Sequence, residues 1–108
     1  MTKSIDNLLL LVYYYDMLKH IESGISGKMI GFNSLSWIQD IANDLHVKGV
    51  VLTKPDGSIK VIAEGEETAL REFTETIKTG KVFSETENFY VKWSESTRNL
   101  GNFFVVAS

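Results

Sequence analysis

Polar and apolar residues alternate along this chain in short runs whose period switches between about 2 and about 3.6, the signatures of strand and helix. HIESGISGKMI mixes apolar residues with glycine and serine and reads as a strand running into a glycine-containing loop. In NSLSWIQDIANDLH, Ile38, Ile41, Ala42 and Leu45 recur at helical spacing, with Ser34 or Ser36 available as N-cap, which predicts a first helix. KGVVLT and SIKVIAE are β-branched runs separated by KPDG. Pro55 presets φ there, Asp56 favours the turn and Gly57 permits positive φ, so the two runs form a hairpin. In GEETALREFTETIKTG, Ala69, Leu70, Phe73 and Ile77 share one face. Glu66 and Glu67 sit at its start, where the helix dipole favours acids, Lys78 sits near its end and Gly80 terminates it. ENFYVKW sets Phe89, Val91 and Trp93 on one side, and NFFVVA closes the chain with Phe103, Val105 and Ala107 in register.

The order is β-α-β-β-α-β-β. It predicts an α+β, ferredoxin-like sandwich (βαββαβ plus a closing strand) in which two helices cover one face of an antiparallel sheet. Many unrelated functions use this fold, so function must be argued from particular residues.

The chain divides into an apolar N-terminal extension, residues 1–16, and a domain, residues 17–108. The run Leu8 to Tyr15 is far shorter than the roughly 20 residues of a membrane helix, and it lacks the basic flank and cleavage site of a signal peptide. Exposed apolar surface costs about 25 cal/mol per Å², so the run must pack. It can cover its own sheet, or join a homo-oligomer through Leu8, Leu9, Leu10, Leu11, Tyr13, Tyr14 and Tyr15. Its pattern does not distinguish helix from strand.

At 108 residues, 44% hydrophobic and 23% charged, the chain is sized for one core. A net charge of −3 provides no global basic field for nucleic acid, and neither a nucleic-acid nor a membrane partner is expected. With no cysteine there is no disulfide, thiolate nucleophile or zinc-thiolate site, which suits a cytoplasmic protein. His46 lies at the end of the first helix, where histidine meets the dipole, and His20 lies before the first strand. Spacing brings no carboxylate to both, so no metal and no catalytic histidine is expected. Glu64, Glu66, Glu67, Glu72 and Glu75 read as a solvated helical face. Trp37 and Trp93 read as core or edge packing.

From Met17 onward the chain resembles the acylphosphatase family. The resemblance is strongest over KGVVLTKPDGSIKVIAEGEETALREFTETIKTG, and VKWSESTRNLGNFFVVA is similar to the family's closing strand pair. It implies hydrolysis of the carboxyl-phosphate bond of small acyl phosphates, with no metal, cofactor or covalent intermediate. It also implies a loop after the first strand that cradles phosphate with backbone N–H groups, an arginine at the end of that loop and a water-positioning asparagine on the second strand. That is electrostatic stabilisation plus positioning, the main needs of phosphoryl transfer.

Counted back from Gly49 without a gap, the loop maps onto Gly27, Lys28, Met29, Ile30, Gly31, Phe32, Asn33, Ser34 and Leu35, the candidate anion-binding loop. The arginine position is then Leu35 and the asparagine position Thr53. Shifting by two residues, to align Phe32 with the family's phenylalanine, places Asn33 on the arginine position. No arginine precedes Arg71, and neither register supplies a guanidinium. Losing one preorganised charge-stabilising group costs about 10²–10³ in turnover. The expectation is therefore an acylphosphatase-like domain that is inactive or very weak and acts as a module binding phosphate, another small anion or a protein. The alternative is a true acylphosphatase that recruits a replacement basic residue such as Lys28. Thr53 keeps a hydroxyl that can hold a water.

Overall fold

The computed structural model describes residues 18–29, 33–80, 83–97 and 100–106, with the backbone alone at 28, 29, 33, 83–86 and 104. The apolar extension lies outside these residues, as does the oligomer contact expected of it.

Five strands and two helices follow the order the sequence predicts: β1 (Leu18–Met29), α1 (Asn33–Asp44), β2 (Lys48–Thr53), β3 (Ile59–Glu66), α2 (Glu67–Thr79), β4 (Phe83–Glu95) and β5 (Phe104–Val106). They form one sheet of order β4-β1-β3-β2-β5. β1 pairs antiparallel with both β3 and β4, and β2 pairs antiparallel with β3. The wholly antiparallel expectation needs correction at one edge, because β5 runs parallel to β2, Val51 opposite Val105. A parallel neighbour requires a crossover. The crossover is the segment after Glu95, which leaves β4 at one edge of the sheet and returns at the other. The expected closing strand pair is thus two strands on opposite edges, each using its own neighbour.

Alternation puts Ile21, Ile25, Val51, Ile59, Val61 and Ala63 on the covered face, where they meet Leu35, Ile38 and Ala42 of α1 and Leu70, Phe73 and Ile77 of α2. Phe103 enters the same core, its ring edge-on to Phe73 at 5.8 Å between centroids. α2 starts at Glu67 with Glu66 as its N-cap, a residue making no side-chain cap bond, and ends where the Gly80 amide donates to the Thr76 carbonyl. α1 starts at Asn33, so Ser34 and Ser36 fall inside its first turn and neither is the N-cap the sequence suggested. It ends in a Schellman-type closure: the His46 amide donates to the Asn43 carbonyl and the Val47 amide to that of Ala42, with His46 held at φ 57. The KPDG turn is present, with Gly57 at φ 86 and the Ser58 amide and hydroxyl both donating to Asp56 Oδ1. These bonds, the hydroxyl's first, hold the exposed Asp56 carboxyl below its usual range.

Candidate functional site

β1 is longer than the strand beside it. Its pairing with β3 stops at Ile25, while Ser26 to Met29 continue on β4 alone, past two register shifts that leave Glu87 and Ser84 without partners in the ladder. Gly27, Lys28 and Met29, the first third of the candidate loop, are therefore strand. Residues 30–32 lie outside the described residues, and Asn33, Ser34 and Leu35 form the first turn of α1. That turn carries no acidic residue, so no carboxylate there opposes an anion at the helix's N-terminal end.

Leu35 is completely buried and packs in the core with Ile38 and Ala42. It is one helical step before Ile38 and two before Ala42, so it belongs to the apolar stripe. Thr53 ends β2 on the same face as Val51, half-buried and opposite Ile59. The fold thus brings the end of β1, the start of α1 and Thr53 to one end of the helix-covered face. Arg71 is elsewhere: its guanidinium holds Glu67 Oε2 at 3.0 Å and stacks over Trp93 at 5.0 Å from the ring centre. Trp93 is an edge residue, and Trp37 packs against the core, as the sequence indicated.

Glu64 and His20 depart from their sequence reading. His20 is inside β1, and Glu64 is a strand residue with 6% of its side chain exposed, not part of a solvated helical face. The two stand opposite each other in the β1–β3 ladder, with His20 Nδ1 2.9 Å from Glu64 Oε2. The Thr97 amide and hydroxyl donate to the same oxygen, the hydroxyl at 2.8 Å. Burial pushes the Glu64 carboxyl up, but hydrogen bonds from the Thr97 amide, His20, the Thr97 hydroxyl and Ser96 outweigh it and hold the group below its usual value. Alternation places Glu64 on the open face with Lys60 and Ile62, which is why the sequence reads it as solvated. Its cover is the distant crossover, which no local pattern signals. Further along that face, Lys60 Nζ lies 3.4 Å from Glu22 Oε1, and this attraction holds the half-buried Glu22 carboxyl below its usual range. Among the described residues no group of His, Asp or Glu is arranged to hold a metal. Nor is any described helix long and apolar enough to cross a membrane.

Two helices on one face of a β4-β1-β3-β2-β5 sheet define a ferredoxin-like α+β domain. The family model described as Acylphosphatase matches residues 21–105. The chain is 31% identical over 84 residues to the acylphosphatase of Bacillus subtilis (strain 168), covering 78% of this chain and 92% of that one. It is 32% identical over 79 residues to that of Methanospirillum hungatei, covering 72% and 87%. The crystal structure of acylphosphatase from Bacillus subtilis superposes with a TM-score of 0.73 at 30% identity, covering 83% of this chain and 99% of that one. The chain belongs to the acylphosphatase family.

Proposed function

We propose that this chain is an acylphosphatase-family domain that binds phosphate or another small anion, and that it turns over acyl phosphates very weakly or not at all. The observation that carries this is the burial of Leu35. In the ungapped register its position answers to the family's arginine, and its side chain is spent on the core, where it offers neither charge nor donor to a phosphate. In the alternative register the position is Asn33, again without a guanidinium. Thr53, on the asparagine position, keeps a hydroxyl but not the amide's paired donor and acceptor. What supports anion binding is the N-terminal end of α1 with its acid-free first turn, next to the end of β1.

The burial of Leu35 also dictates the test. A Leu35→Arg variant would place a guanidinium in the core, so the gain-of-function variant is Asn33→Arg/Thr53→Asn. Phosphate release from benzoyl phosphate is measured for the wild type, this variant and the Bacillus subtilis relative in parallel. A wild type at least about 10²-fold slower than the relative, with a faster double variant, supports the reading. Wild-type turnover within tenfold of the relative overturns it, and makes the chain a working acylphosphatase in which Lys28 is the first residue to replace.

A further inference from the structure

A cavity of about 650 Å³ opens at the other end of the sheet from the phosphate loop. Leu18 lines it, and Met29, within the candidate loop, ends the same strand about 35 Å away at roughly 3.3 Å per residue. Its size is within the range of small-molecule sites. Leu18, Leu45, Ala69 and Leu100 supply apolar wall from four separate parts of the chain, Lys48 and Glu66 supply charge, and His46 adds an imidazole.

We propose that this cavity binds a zwitterionic small molecule with an apolar body, an apolar α-amino acid being the simplest such ligand. The proposal goes beyond the phosphate site and holds whether or not acyl phosphates are hydrolysed. It follows from which charges around the cavity are already used. Glu64 also lines the wall, but its carboxylate is taken up by His20, Thr97 and Ser96. Lys48 and Glu66 make no ion pair or side-chain hydrogen bond with any other described residue.

Lys48 is the ladder partner of Glu64, and Glu66 lies two residues further along β3 on the same face. They are diagonal neighbours, with about 7–8 Å between backbones. Two long side chains from such positions can converge on charges one carbon apart. A simple anion would meet Lys48 but face Glu66, and a simple cation would meet Glu66 but face Lys48. A ligand carrying both charges meets both wall groups at once. With its ammonium on Glu66 and carboxylate on Lys48, the side chain of such a ligand falls among the leucines and Ala69.

The probe is L-leucine, titrated into the full ¹⁵N-labelled chain while the backbone amides of Lys48, Gly65, Glu66 and Ala69 are followed by NMR. Two analogues each keep one charge: 3-methylbutylamine and 4-methylpentanoate. A saturable shift at these amides with L-leucine is expected, with either analogue at least tenfold weaker, and with Lys48→Met and Glu66→Gln each weakening L-leucine at least tenfold. Lys48 is exposed, so its variant keeps the fold, and the spectrum itself reports this. Absence of a saturable shift, an analogue that binds as well as L-leucine, or a Lys48→Met variant that binds unchanged would each overturn the proposal.

Discussion

Glu64 is held on the open face of the sheet by donors from two elements, His20 on β1 and Thr97 on the crossover. Removing the carboxylate strands those donors, so Glu64→Ala is predicted to cost about 3 kcal/mol in urea unfolding. Because the folded pKa lies below the ordinary 4.5, the ionised group's contribution is complete above that value and is lost as pH falls through the lower folded one. The stability gap between wild type and Glu64→Gln should accordingly narrow on acidification below about pH 4.5. A gap that stays constant to pH 2 would show that the charge is not what stabilises. His46 gives the opposite sign. An L-residue at φ 57 in the helix-closing position is strained where glycine is not, so His46→Gly is predicted to stabilise by about 1 kcal/mol, seen as a higher urea midpoint with an unchanged slope. Leu35 was read into the candidate anion-binding loop, although its helical spacing from Ile38 and Ala42 carried the signal of its burial. Glu64 carried no such signal, because its burial depends on a segment more than thirty residues away.

At the scale of elements, both helices, the hairpin and the order of elements along the chain were legible, because each has its own period and punctuation. α2 shows this best, with Leu70, Phe73 and Ile77 buried as their spacing implies. The direction of β5 was not legible. Three apolar residues alternate identically whether they run up or down an edge, and direction is set by the crossover's path. β2 carries a constraint that no period reveals. Gly49 sits in this strand at φ 143, and a β-carbon there would come 2.0 Å from the backbone oxygen of Ile62 on β3. Since the obstacle is backbone and the torsion is one that L-residues avoid, Gly49→Ala is predicted to cost about 3 kcal/mol or more. Gly57→Ala, with a positive φ but open space around it, should cost only about 1 kcal/mol. Parallel thermal melts of the two variants separate crowding from torsion, and equal losses would refute the crowding argument.

For the molecule as a whole, the crossover closes the sheet by being fixed at successive points. Thr97 is bound to Glu64, the Gly49 amide donates to the Gly101 carbonyl at 3.2 Å, and Gln39 Nε2 donates to the Phe103 carbonyl at 3.2 Å. Phe103 then enters the core against Phe73. A three-residue strand contributes little ladder of its own, and Phe103, immediately before it, anchors it in the core against Phe73. Phe103→Ala is therefore predicted to cost about 3–5 kcal/mol and to do so globally. In a Trp37→Phe background Trp93 alone reports from β4, the opposite edge of the sheet, and circular dichroism reports from all elements. If the anchor belongs to the single core, urea transitions by the two probes remain coincident and shift together. If β5 were only an appendage, Phe103→Ala would leave the Trp93 transition where it was. Val106→Ala, on β5 itself but 43% exposed, is the internal control and should change stability by no more than about 0.5 kcal/mol.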